Sequence, residues 1–502
     1  SRLLVHKSVH DEGVEKLLRG LNPNKASGPD GITPRVLQAL ATELAPALTL
    51  IFNSSLQSGV VPQDWRTAYV TPVFKKGERY RPENYRPISL TCIVCKLMEH
   101  IIVSHIMRYA EVNDIIVPQQ HGFRRGRSCE TQLLGLVDEM TGDLQAGGQV
   151  DLVVMDFQKA FDKVNHSLLV HKLSYYGIRG RVNAWVRSFL CNRQQAVVVD
   201  GARSAYVPVD SGVPQGSVLG PSLFLLYIND LPDQIDSNSR LFADDTICQR
   251  SVSTDNDQTT LQEDLRKLEA WEASWDMSFH PGKCQVLRAT KRKKKTFNRT
   301  YVLHDQPLQE VATTRYLGVT LSADTSWEPH INTITNKASR ALGFLRRTLK
   351  INAKEVKDRA YKAYVRPILE YACSVWDPHN DKLVKSLEAV QRRAARWVCQ
   401  RYRRTSSVDD MLTGLEWPTL ESRRRRARLT TFFKYHSKHI SINSKYAPSA
   451  DPSRRRARNS NSQSYPIPSN RTDYRKFSFF PRTIVEWNAL PEAAVAAPSV
   501  EA

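Results

Sequence analysis

Two adjacent carboxylates, Asp244 and Asp245, stand in "SRLFADDTIC" (239–248) between two short apolar runs, where a folding chain does not bury charge without compensation. A third acid, Asp156, closes the β-branched apolar run "DLVVMDF" (151–157). An Asp-Asp pair in a turn carries little meaning alone. If the run before Asp156 and the hairpin around Asp244 are neighbours in one sheet, three carboxylates converge, and their mutual repulsion calls for cations. Oxygen donors with no His or Cys nearby select a hard ion, so Mg²⁺, with Mn²⁺ as its substitute, is expected rather than zinc. Carboxylates holding two such ions about 3.5 to 4 Å apart perform phosphoryl transfer, one ion activating a hydroxyl and the other stabilising the leaving group. Spacing does not decide between making and breaking a phosphodiester.

The elements that must position these acids form an α+β centre. After Asp156, "FDKVNHSLLVHKLSYYGI" has helical spacing, and "QAVVVDGARSAYVPV" (195–209) reads as two strands around a Gly-containing turn. "SGVPQGSVLGPSLFLLYINDL" (211–231) is a Gly/Pro loop feeding a buried helix. The acidic hairpin follows, then the amphipathic helix "TTLQEDLRKLEAWEASW" and a strand pair ending at "TRYLGVTL" (314–321). Upstream, helical patterns alternate with loops such as "NPNKASGPDGITPRVL" (22–37). Beyond about 325 the pattern is helical: Leu383, Leu387, Val390, Ala394 and Trp397 share one face, with Arg392, Arg393 and Arg396 off it. Roughly 440 to 470 reads as a flexible basic linker, and the aromatic end "DYRKFSFFPRTIVEWNAL" is expected to dock on the body.

Charge says what these elements face. Among 502 residues, 72 Lys and Arg outweigh 51 Asp and Glu, a formal net charge of +21, which makes a polyanion the first partner to consider. The eight cysteines are scattered rather than arranged as a disulfide framework, so a reducing, intracellular compartment is expected, nucleus and cytoplasm both open. Cys92 and Cys95 form a C-x-x-C pair with no second pair to complete a zinc site. No apolar stretch is long enough to span a bilayer and no signal peptide opens the chain, so no membrane partner is expected. The clusters "KRKKK" (291–295), "SRRRRAR" and "SRRRAR" (453–458) read as phosphate-binding faces in preference to targeting signals. The first residue, Ser1, leads us to expect a piece of a longer product.

The ordered motifs resemble the reverse transcriptases of non-LTR (LINE-type) retrotransposons, particularly the Jockey and CR1-like group. The matching stretches are "MDFQKAFDKVNH" (155–166), "SGVPQGSVLGPSLFLLYINDLP" (211–232), "RLFADDT" (240–246), "HPGKCQVL" (280–287) and "RYLGVTL" (315–321), with "NKASGPDGI", "YRPISL" and "QHGFRRGRS" upstream. The resemblance implies a right-hand polymerase with a helical C-terminal region. Fingers and an N-terminal extension would occupy 1–150, a palm 151–325, a helical thumb 326–420, and a basic linker and C-terminal segment 421–502, with the reverse transcriptase domain over about 60–325. It implies RNA-directed DNA synthesis, extending a primer 3′-OH on an RNA template with deoxynucleoside triphosphates, the element's RNA being bound as a ribonucleoprotein.

Carried over residue by residue, Asp156 and Asp244 would be the principal metal ligands, Asp245 the adjoining acid, and the backbone carbonyl of Phe157 a further ligand. Phe161 matches the steric gate that excludes a ribose 2′-OH, and Gln215 and Gly216 the loop against the incoming nucleotide. Arg124, with Arg125 and Arg127 beside it, would grip the triphosphate, and Lys283 would protonate the leaving pyrophosphate. Tyr316, Leu317 and Gly318 match the primer grip. Phe242 stands in the metal box where many relatives carry Tyr, and no endonuclease, ribonuclease H or Cys-His knuckle motif is recognised. The alternative is a catalytically silent or domesticated remnant that binds RNA or DNA, against which the intact acids speak.

Overall fold

The computed structural model describes residues 9–292, 296–448 and 461–500. The basic run "SRRRAR" lies outside the described residues, as do the last three residues of "KRKKK". Each of two compact units is assembled from separate stretches of chain: 1–123, 156–235 and 264–280 in the first, and 124–155, 236–263 and 281–502 in the second. Among the described residues no helix is long and apolar enough to cross a membrane.

In the first unit the strands Tyr85–Thr91, Thr67–Phe74 and Arg193–Val199 lie in that order, the first pair antiparallel and the second parallel. A parallel pair needs a long crossover, which here includes the helices Ile93–Val112, His166–Tyr175 and Gly180–Leu190. The expected strand pair over 195–209 is a three-piece arrangement, Arg193–Val199 pairing with both Ala202–Arg203 and Val207–Val209. The buried helix expected after the Gly/Pro loop is Leu219–Tyr227, and Leu223, Phe224 and Leu225 within it are buried.

The second unit holds an antiparallel core around the strand Gln149–Met155. Asp245–Val252 pairs on one side and Gln285–Thr290 on the other, with Asn238–Phe242 and Gln309–Val311 at the edges. Central position explains the run "QVDLVVM", buried at six of its seven residues. The helix Cys129–Gln145, opened by a Ser128 and Thr131 capping box, covers this sheet and is buried from Thr131 to Leu144. Helices Glu328–Thr348, Asp381–Cys399, Leu420–His436 and Phe479–Asn488 share one apolar core with it. Leu387, Val390, Ala394 and Trp397 are buried along Asp381–Cys399, as their spacing predicts, and Leu383 packs against the same core.

One expectation is corrected here. The described parts of the basic linker, 440–448 and 461–470, are packed rather than loose, because aromatic and amide side chains anchor them. The Tyr446 hydroxyl donates to Asp143 at 2.7 Å, Tyr465 stands edge-on to Phe432 with ring centroids 5.1 Å apart, and Asn461 donates to the Trp487 carbonyl at 2.7 Å. The aromatic end does dock as expected. Arg475, buried, forms an ion pair with Asp138 and donates to that residue's carbonyl at 2.8 Å.

Candidate active site

The acidic hairpin belongs to the second unit. Asn238–Phe242 and Asp245–Val252 pair up to Phe242 opposite Asp245, so Ala243 and Asp244 form a two-residue turn. Ala243 has φ +54°, a left-handed conformation that L side chains other than Gly adopt at a cost. Positive φ at the first turn position alone is the sign pattern of a II′ hairpin turn, which normally calls for Gly there. Here the Ala243 methyl is buried, and the strained turn leaves Asp244 half-buried and Asp245 exposed.

The hairpin's base is clamped. Gln132 donates its side-chain amide to the Leu241 carbonyl at 3.1 Å, and buried Arg240 forms a 2.7 Å ion pair with Glu139 while reaching the Asn443 carbonyl at 3.2 Å. Burial, reinforced by the Asp245 carboxylate and opposed by Arg240, pushes the Tyr316 phenol well above its usual range. On the central strand, Met155 faces Thr246. Asp156 is the next residue of the chain after Met155, and Asp245 the one before Thr246.

In the first unit Asp156 opens a loop held by backbone pairing. Its carbonyl accepts from the His280 N–H at 2.8 Å, the Gln158 N–H donates to Ser278 at 2.8 Å, and Phe157 stacks on Phe279 with centroids 4.1 Å apart. Phe161 lies half-buried and stacks on Phe224 at 4.3 Å, which fixes its ring from beneath. The loop bearing Gln215 and Gly216 is tied down at several points. Ser89 N–H donates to the Gln215 carbonyl at 2.7 Å, and a Cβ at Gly216, φ +117°, would stand 2.6 Å from the Ser89 carbonyl oxygen, so only Gly fits. Just beyond, buried Glu99 accepts the N–H groups of Val218 at 2.7 Å and Leu219 at 2.9 Å. Burial raises the Glu99 carboxyl pKa, and those two backbone donors pull it back. Sequence reading singled out none of Glu99, Ser89 and Asp162 as acting on this loop, although Ser89 and Asp162 lie inside motifs it quotes.

The remaining residues fall in the second unit. Arg124 and Arg127 lie close enough to repel, and burial with that repulsion lowers Arg127 to about 10. Lys283 is exposed in the turn Pro281–Lys283 ahead of Gln285–Thr290. Tyr316, Leu317 and Gly318 form a second tight hairpin, Tyr316 opposite Val319, with positive φ at both Leu317 (+44°) and Gly318 (+84°). Tyr371 donates its hydroxyl to the Leu317 carbonyl at 2.9 Å. Among the described residues no group of three or more His, Cys, Asp and Glu side chains is gathered so as to hold a metal ion by itself.

Residues 73–321, which include both hairpins, the Phe161 loop and the Gln215 loop, match the family described as "Reverse transcriptase (RNA-dependent DNA polymerase)". Fold and site therefore define a reverse transcriptase domain on a mixed α/β scaffold. The chain is 28% identical over 448 residues to the Drosophila melanogaster protein named "Probable RNA-directed DNA polymerase from transposon X-element", covering 86% of this chain and 47% of that protein. It is 29% identical over 430 residues to the transposon BS protein of Drosophila melanogaster, covering 80% of this chain and 46% of that one. It is also 29% identical over 382 residues to "RNA-directed DNA polymerase from mobile element jockey" of Drosophila funebris, covering 73% of this chain and 41% of that one. The chain carries a reverse transcriptase domain of the kind found in LINE-type, non-LTR retrotransposons, and it spans about half the length of the curated relatives it matches.

Proposed function

We propose that this chain is an RNA-directed DNA polymerase that extends a primer 3′-OH on an RNA template, releasing pyrophosphate from each deoxynucleoside triphosphate. The observation that carries the reading is the acidic hairpin: a turn held in a left-handed conformation at Ala243, which places Asp244 beside the strand that leads into Asp156. Relatives whose names state this activity support it.

Asp156, Asp244 and the Phe157 carbonyl offer hard oxygen donors that suit Mg²⁺, and Mn²⁺ in its place, with Asp245 adjoining. Mg²⁺ is usually held by one or two carboxylates together with substrate phosphates rather than by a complete protein cage, which is the use these donors would have. When bound, the ions supply activation of the primer hydroxyl and charge stabilisation at the phosphates. The chain's own residues do the rest. The Phe161 ring, backed by Phe224, would exclude a ribose 2′-OH, and Gly216 lets the Gln215 loop pack closely against Ser89 at the incoming nucleotide. Arg124 offers a guanidinium fork to the triphosphate, and Lys283 a proton to the leaving pyrophosphate. Fingers at 1–150, a palm at 151–325, a thumb at 326–420 and a C-terminal segment at 421–502 are the right-hand division we assign. The Arg-bearing helices beyond 326 would follow the duplex backbone, and the element's RNA is the expected template.

The test is primer extension on an RNA template with Mg²⁺, comparing wild type with Asp244→Asn. Extension by wild type alone, with duplex binding equal in both, is expected. Retained extension in the variant, or a folded wild type that binds the duplex yet extends nothing, would overturn the reading.

A further inference from the structure

The helix Cys129–Gln145 carries three buried carboxylates, Asp138, Glu139 and Asp143. Buried acids need donors or cations, and a segment beyond residue 440 supplies several of theirs. The Ser444 hydroxyl donates to Asp138, the Lys445 N–H to Glu139 at 3.2 Å, and the Tyr446 hydroxyl to Asp143 at 2.7 Å. The Lys445 ammonium also pairs with Asp143 at 2.7 Å.

The helix is bare where this segment touches it. Gly135 and Gly142 are seven residues apart, about two turns, and so share a face. A Cβ at Gly135 would overlap the Asn443 carbonyl oxygen, and one at Gly142 the Tyr446 ring. Glycine weakens a helix interior relative to alanine, so two on one face call for a reason, and the seated segment is one. The Arg475 guanidinium lies 5.3 Å from the centre of the Tyr446 ring and helps to hold it there.

What the segment reaches is the acidic hairpin. Asn238–Phe242 is the edge strand of its sheet, so among the described residues backbone pairing holds it on one side only. On that strand Arg240, four residues before Asp244, is shared between Glu139 at 2.7 Å and the Asn443 carbonyl at 3.2 Å. A Cβ at Gly135 would also stand 2.8 Å from Arg240 Nη1, so one glycine makes room for both. With the segment lifted away, Arg240 loses one of these two anchors, and the edge strand gains freedom to shift.

We propose that the segment 443–446, anchored by Tyr446, positions the acidic hairpin: seated on Gly135 and Gly142, it fixes Arg240 and with it the turn that bears Asp244. The kinetic consequence rests on the reading of the chain as a polymerase, whereas the clamp itself does not.

The experiment uses the full chain, with primer extension on an RNA template in Mg²⁺ and amide hydrogen exchange on the free protein. Tyr446→Ala is expected to lower kcat per folded molecule by about tenfold, within the roughly hundredfold that a misplacement of about 1 Å costs, with nucleotide KM and duplex binding unchanged. Amides of the acidic hairpin should exchange faster, and those of the Leu317 hairpin should not. Gly142→Ala separates positioning from stability, because it puts a better helix former into the helix yet bars the Tyr446 ring. It should lower kcat as Tyr446→Ala does, and the double variant should lose no more than either. Gly142→Ala carries the test if Tyr446→Ala does not fold. Unchanged kcat in a folded variant, exchange that rises equally at both hairpins, or losses that multiply in the double variant would overturn the inference. A wild type that extends no primer breaks the polymerase reading alone. Faster exchange confined to the acidic hairpin of the variant then supports the clamp, and unchanged exchange overturns it.

Discussion

The second unit contains two hairpins with two-residue turns, and each holds an L residue in left-handed backbone at a different turn position. At Leu317 and Gly318 both turn residues have positive φ: Leu317, at +44°, carries the strain, and Gly318, at +84°, is the residue type that adopts it freely. Tyr371 covers this turn and the His330 ring accepts from the Thr320 N–H at 3.2 Å, so the hairpin is packed from both sides. At Ala243 and Asp244 the first turn residue is a buried alanine at +54°, where Gly is the relaxed choice. Both turns thus hold a strained L residue, and only at Ala243 does it stand directly beside a carboxylate. Such strain persists when its surroundings over-determine the conformation, and the Gln132 and Arg240 contacts do that here.

The largest contrast between the turns is chemical. Asp244→Asn should lower extension on the order of a thousandfold or more, with melting temperature and duplex binding held, measured by primer extension. Equal extension in that variant would erase the distinction between the hairpins.

Acid should act on the packed hairpin. Burial, with Arg315 nearby, lowers His330 from 6.5 to about 4. In the unfolded chain the ring takes its proton as pH falls through 6.5, while in the folded chain it stays neutral down to about 4. Its contribution is therefore whole above pH 6.5 and is lost progressively as pH falls toward 4, by up to about 3 kcal/mol. Denaturant melts of wild type and His330→Gln at pH 7 and 4.5 measure it. The variant should lose less over that interval, and equal losses would assign the effect elsewhere.

Gly318→Ala tests the second turn directly. The added methyl meets positive φ and stands 3.0 Å from Tyr371 Cε1, so a loss of about 1 to 2 kcal/mol in a denaturant melt is expected. The smallest effect on stability is at Ala243. Ala243→Gly relieves about 1 kcal/mol of left-handed strain and adds a comparable entropy to the unfolded chain, leaving stability within about 0.5 kcal/mol. Extension should nonetheless fall a few-fold, because the turn that aims Asp244 loses its stiffness. Unchanged extension would make the strain incidental.

Much of this was legible beforehand. Asp156, Asp244 and Asp245 stand out because acids at the ends of apolar runs need a reason, and the buried strand "QVDLVVM" and the helical face of Leu387, Val390 and Ala394 follow from periodicity. The docking of 440–448 and 461–470 was not legible, since polar, basic composition hides the few aromatic anchors that decide it. Nor was the positive φ at Ala243, as alanine signals no turn type.

By itself the sequence determined the chemistry on offer: which acids, which aromatics beside them, which basic stretches, in which order. Those depend on residue type and local spacing, which a linear chain displays. Tertiary structure alone decided that each compact unit is drawn from three separated stretches, that Ala243 is held left-handed, and that Asp162 accepts a hydrogen bond from Gln215. Each of these depends on contacts between residues remote in the chain, set by strand register and packing, and local propensity carries no record of them.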